Sequence, residues 1–178
     1  MPFVRDDGGR AEAGYKGDAG DCVARAVSIV TGLPYKQVYS DLASINQAQR
    51  KGKKMRGAHL GRRTARHGIF TNKTAFKRYM AELGFEWIPT MQIGSGCKVH
   101  LAEGELPMGN LIVSVSRHVT AVIDGVIHDT YDPQRTTNEI GVKGGIPYQK
   151  TYERCVYGYW RLVASTRRDG PVLREAVA

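Results

Sequence analysis

The chain has 178 residues, 42% of them apolar, 8% aromatic and 24% charged, with 26 Lys and Arg against 17 Asp and Glu for a net charge of +9. That length suits one domain with its own core, and the composition excludes wholesale disorder. No run approaches the 18 apolar residues of a membrane span, and MPFVRDDGGR is not followed by a signal-peptide core, so a cytoplasmic protein with no membrane partner is expected.

Residues 1–14 are rich in Gly, Asp and charge and read as a flexible arm. A domain over 15–166 follows, and 167–178 reads as a tail. The first helix starts at GDCVARAVSIVTG: Asp21 stands at the N-cap position, Val23, Ala26, Val27 and Val30 share one face, and Gly32 is the stop. A second helix runs from Pro34 with Val38, Leu42 and Ile45 as its buried stripe.

The segment 50–67 changes character. Arg50, Lys51, Lys53, Lys54, Arg56, Arg62, Arg63 and Arg66 occur there without one acidic residue, among glycines that favour a loop or lobe. A solvated charged loop is the plain reading. Recruitment of an acidic partner or of nucleic acid is the functional one, with a steep salt dependence as its signature. No aromatics for base stacking are interleaved, and no zinc knuckle or helix-turn-helix pattern is present.

A third helix is expected from about Lys73 to Leu83, burying Phe76, Tyr79, Met80 and Leu83. A Gly-rich connector around Gly94–Gly96 leads to the strand half: LIVSVS, a hairpin in HVTAVIDGVIHDTYD turning at Asp124-Gly125, and a closing strand in CVYGYWRLVA. Helices first and antiparallel strands after make an α+β arrangement.

Cys22, Cys97 and Cys155 form no CxxC pair, so neither a disulfide nor a structural zinc site is expected, and Cys97 and Cys155 read as structural. Cys22 is placed differently, in the first turn of a helix where unpaired N–H groups and the dipole favour an anion. A small core residue is the alternative for it. If Asp124-Gly125 is a type I′ turn, His118 and Asp129 become diagonal neighbours on one face, close enough for the carboxylate to fix the imidazole, while His128 points away. A cysteine on a helix N-terminus, then a strand histidine, then a carboxylate is the order that thiol acyl transfer needs. A metal hydrolase using His100, His118, His128 and Asp129 lacks HExxH or comparable spacing, and the thiol chemistry requires no cofactor.

GDCVARAVSIVTGLPYKQVYSDL, HVTAVIDGVIHDTYDP and CVYGYW together resemble the papain-like cysteine peptidase superfamily, and in particular its small uncharacterised members from bacteriophage and prophage genomes. The similarity spans about residues 15–163. It implies a helix carrying a nucleophile, Cys22, packed on a twisted antiparallel sheet carrying the base His118 and the orienter Asp129, with a protein or peptide as substrate. In that superfamily a Gln about six residues before the cysteine commonly completes the oxyanion hole. Here Lys16 holds that place, so Lys16 and the Asp21–Cys22 backbone are the oxyanion candidates. The rival from another class is a catalytically silent fold of this type acting as a basic binding module.

Overall fold

The structure is a computed structural model and describes residues 1–48 and 64–163. Three helices come early, α1 (Cys22–Thr31), α2 (Tyr35–Ala48) and α3 (Thr74–Glu82), with a short 3₁₀ turn at Ala65–His67. Around and after them lie β1 (Phe3–Arg5), β2 (Phe85–Pro89), β3 (Asn110–Val115), β4 (His118–Ile123), β5 (Val126–Asp129), β6 (Thr136–Lys143), β7 (Ile146–Glu153) and β8 (Val156–Leu162). The fold class is α+β. A six-stranded sheet runs in the order β1-β5-β4-β3-β8-β2, and β6-β7 form a separate two-stranded ribbon.

The expected helices are present because their apolar residues recur at helical spacing. Val23, Ala26, Val27 and Val30 of α1, Val38 and Leu42 of α2, and Phe76 and Met80 of α3 are buried in one cluster with Ile112, Ala121 and Trp160 of the sheet. Gly32, in the left-handed conformation, closes α1. Ile45 is only partly buried, and Asn46 is the buried residue of the last turn of α2. Its side-chain amide donates to the carbonyls of Thr64 (3.3 Å) and Gly68 (3.1 Å). On the sheet's other side, Leu111, Val113, Val122, Ile127 and Val156 pack with Leu101 and Leu106.

The hairpin register is the expected one. Asp124 (φ 47°) and Gly125 (φ 79°) form the turn, with Ile123 opposite Val126 and Val122 opposite Ile127.

Two expectations are corrected, and three further strands are found. Residues 3–5 of the supposed arm form β1, which pairs in parallel with β5, so the sheet is mixed rather than purely antiparallel. Two apolar residues give too little alternation to reveal a strand, whereas the sheet edge supplies its partner. The FEWIP segment is β2, antiparallel to β8. The β6-β7 ribbon pairs Thr136–Lys143 with Ile146–Glu153, and Ile140, Val142 and Ile146 are exposed, so these apolar residues mark no buried face. Finally, Cys97 and Cys155 are joined in a disulfide across 58 residues, with Cα atoms 5.8 Å apart. The β2-β8 pairing and the Thr90 N–H bonded to the Tyr157 carbonyl bring the connector beside the start of β8, a proximity that cysteine spacing does not contain. Such a bond does not support the cytoplasmic expectation, since disulfides are rare in a reducing cytosol. No helix among the described residues is long and apolar enough to cross a membrane.

Candidate active site

Cys22 is the first residue of α1 and is half-buried. Asp21 precedes it at the N-cap position, yet its carboxylate makes no capping hydrogen bond. The expected cap is corrected for a simple reason: the carboxylate is fully engaged elsewhere. One oxygen accepts from Arg10 Nε (2.7 Å) and the Tyr35 hydroxyl (2.6 Å), and the other from Arg25 Nη1. Asp21 is 1% exposed, so this is a buried charge held by two guanidiniums and a phenol. With the carboxylate turned away, the first-turn N–H groups of α1 beside Cys22 are not neutralised by a cap, as an anion-stabilising helix end requires.

His118 opens β4 and Asp129 closes β5. The hairpin brings them together: His118 Nε2 lies 2.6 Å from Asp129 Oδ2, and both residues are buried. Asp129 Oδ1 accepts from the Thr130 N–H at 2.7 Å, so both carboxylate oxygens are engaged. Since Nε2 serves the carboxylate, Nδ1 is the nitrogen left for the sulfur. Burial alone would lower the His118 pKa, but hydrogen bonds to Asp129 and Cys22, reinforced by their charges, outweigh it and push it up to about 9. Burial would raise the pKa of Asp129, yet the bond and charge of His118, with the Thr130 N–H and the Thr120 side chain, hold it below the ordinary carboxylate value. The Tyr131 ring lies over His118 with centroids 5.1 Å apart. The structure thus pairs His118 with Asp129, and Cys22 stands near enough to bear on the titration of the same imidazole.

An open cleft of about 570 Å³ is lined by Gly17, Asp18, Ala19, Thr130 and Tyr131 with Arg5, Asp7, Arg10 and Arg25. It touches the His118–Asp129 pair through Tyr131 and Thr130, and Cys22, His118 and Asp129 are not themselves among its lining. The rim is rigidly built. Arg10 donates to the carbonyls of Tyr15, Lys16 and Gly17, Tyr15 packs against the Tyr35 and Tyr39 rings, and Arg66 Nη2 donates to the Asp18 carbonyl at 2.9 Å.

The other sequence candidates fare differently. Lys16 is exposed, and its described contact is through its carbonyl, not its ammonium; the Asp21 carboxylate is taken up by its buried ion pairs, which leaves the backbone of Asp21 and Cys22 as the oxyanion candidate. Of the basic residues, Arg66 anchors the rim, while Arg50, Lys51, Lys53, Lys54, Arg56, Arg62 and Arg63 lie outside the described residues. His128 sits opposite Ala121 with Nδ1 3.4 Å from Asp6, and His100 pairs with Glu105, so neither joins His118. Among the described residues no group of three or more His, Cys, Asp or Glu is arranged to hold a metal.

Sequence reasoning missed Arg10, Arg25, Tyr35 and Tyr131. Arg25 carried a signal: it interrupts the apolar face of CVARAVSIV one turn after Asp21, and a charge on a buried face requires a partner. Arg154 was missed as well. It is buried and donates to the Pro133 carbonyl and the Ser116 carbonyl, both at 2.7 Å, stapling the turn before His118 to the loop after Asp129. Comparison with family models, with curated proteins and with solved structures finds no match for this chain.

Proposed function

We propose that this chain is a papain-like thiol hydrolase or acyl-transfer enzyme, acting on a peptide, isopeptide or amide bond through Cys22, His118 and Asp129. The observation that supports the reading is that one buried imidazole is held by Asp129 through Nε2 at 2.6 Å, leaving Nδ1 for the sulfur of Cys22 at the start of α1. In the reaction, the Cys22 proton passes to His118 Nδ1 and the sulfur attacks the substrate carbonyl carbon. The carbonyl oxygen becomes an oxyanion facing the Cys22 N–H and the uncapped first turn of α1. Imidazolium then returns its proton to the leaving nitrogen as the C–N bond breaks, leaving a thioester on Cys22. Water, or an acceptor amine for transfer, gives its proton to His118 as it attacks the thioester, and Cys22 is regenerated. Asp129 keeps Nδ1 aimed at the sulfur and stabilises the imidazolium. The cleft between residues 17–19 and Tyr131 is where the substrate chain enters.

The test is alkylation of the protein by chloroacetamide across pH, in the wild type, Cys22→Ala and His118→Ala, with the adduct located by mass spectrometry. Selective modification of Cys22, lost in Cys22→Ala and reduced at least about tenfold in His118→Ala, is expected. A pH response indifferent to His118→Ala would sink the reading. It would leave the basic binding module, whose own signature is salt-dependent retention of nucleic acid.

A further inference from the structure

The carboxylate that orients His118 is itself approached by a cation from the helix that carries Cys22. Arg25 is 7% exposed and lies one turn after the helix start. Its Nη1 bonds Asp21 Oδ1, and its Nη2 is 3.8 Å from Asp129 Oδ1, the oxygen that does not face His118. One planar guanidinium thus spans two buried carboxylates, a geometry for which its fixed fork is suited and a single ammonium is not.

We propose that Arg25 is a positioning residue: it restrains the outer oxygen of Asp129, so that the inner oxygen stays on His118 Nε2, and through Asp21 it ties that pair to the cleft rim that Arg10 holds. The inference rests on the thiol-enzyme reading for its catalytic meaning, although the geometry itself does not depend on it. The groups facing the His118–Asp129 pair are few. Cys22 and Arg25 face it from α1, Thr120 from β4, and Thr130 and Tyr131 from the loop after β5, while Arg5 of β1 is in register with Asp129. Among the charged groups here, Arg25 alone has an ion pair to Asp129 besides that of His118. It also reaches Asp21, whose other oxygen holds Arg10 and so the carbonyls of residues 15–17.

Two effects of removing Arg25 have opposite signs. As a bare positive charge, its loss would raise the His118 pKa, because a neighbouring cation disfavours imidazolium. As a restraint on Asp129, its loss frees the carboxylate to rotate, weakens the hydrogen bond to Nε2 and lowers that pKa. The direction therefore separates placement from charge alone.

The experiment is an NMR pH titration of the histidine ring resonances of the full chain, with the His118 signal assigned by its disappearance in His118→Ala. Wild type, Arg25→Met and Arg25→Lys are compared, each also with Asp129→Asn. Arg25→Met is expected to move the His118 midpoint down by about one unit or more, from near 9 towards the ordinary histidine value. Arg25→Lys, with one nitrogen for two carboxylates, moves it the same way by less, and serves alone if Arg25→Met does not fold. Neither substitution lowers it further once Asp129 is Asn. A midpoint that rises or stays in the Arg25 variants, or the same shift with Asp129→Asn present, overturns the inference. Because the titration follows His118 and not Cys22 reactivity, its failure is distinct from failure of the alkylation test.

Discussion

His118 and Asp129 meet through Nε2 and Oδ2 at 2.6 Å although 11 residues separate them, because a two-residue turn folds β4 directly back onto β5. Removing the carboxylate while keeping the hairpin should disable the imidazole without unfolding the protein. Asp129→Ala is expected to reduce the Cys22 acylation rate about 10²- to 10⁴-fold, since His118 Nε2 loses its acceptor and the ring its orientation, whereas Asp129→Asn, which keeps an acceptor oxygen, should lose less. Burst-phase formation of a thioester with an activated ester substrate, followed by intact-mass spectrometry, checks this.

The same pair makes stability depend on pH in a definite sense. His118 has a folded pKa raised to about 9, so its contribution is complete below the unfolded value of about 6.5 and is lost as pH rises through about 9. Asp129 has a depressed folded pKa, so its contribution is present above the ordinary carboxylate value and is lost as pH falls through the folded one. The gap in urea midpoint between wild type and His118→Ala should therefore be widest near pH 5–6 and shrink steadily towards about pH 10. A gap that grows above pH 7 would contradict the ion pair.

Asp21 should behave as a structural anion. Asp21→Ala leaves Arg10, Arg25 and the Tyr35 hydroxyl without their shared acceptor, in a site where Asp21 itself is 1% exposed. Breaking a buried pair in this way costs about 3–5 kcal/mol. Denaturant unfolding of Asp21→Ala against Asp21→Asn, which keeps an acceptor oxygen, gives the comparison; Asn should lose less.

Gly158 lies where β2 and β8 cross closely. A Cβ there would stand 2.7 Å from the Ile88 carbonyl oxygen and closer still to the Trp87 ring. Gly158→Ala should destabilise by about 1–3 kcal/mol through overpacking and shift the tryptophan fluorescence of Trp87 and Trp160, whose rings are 5.2 Å apart. An alanine variant with wild-type melting temperature and emission would refute the close approach.

The disulfide gives a further check. Cys97→Ser with Cys155→Ser, or reduction of the native chain, should cost about 2–4 kcal/mol by releasing a loop of 58 residues, with Cys22 left as a free thiol throughout. Thiol titration before and after reduction should change from one reactive group to three.

How much of this was legible depended on the kind of contact. Val23, Ala26, Val27 and Val30 announce α1 because burial imposes a period on sequence, and the turn at Asp124-Gly125 fixes a register that delivers His118 to Asp129. Cys22 was legible from its position next to a helix start. Arg10 was not, since a carboxylate such as Asp21 reads as a cap until the cations that claim it are seen, while Arg25 left its mark only as a charge on an apolar helix face. Nor was Arg154, whose acceptors at Ser116 and Pro133 are carbonyls that every residue possesses. The disulfide and β1 are long-range pairings with no local signature.

β1 has an effect beyond placing Arg5. The strand ending in Asp129 has its outer side covered, with the Ile127 N–H donating to Pro2 and the Asp6 N–H to the Asp129 carbonyl. Without that cover, β5 would offer a bare row of amides and carbonyls, a template on which another polypeptide could add itself as the next strand. Three residues, with Val4 and Arg5 exposed, make a far poorer template, so this margin of the molecule resists the intermolecular annealing that leads to aggregates.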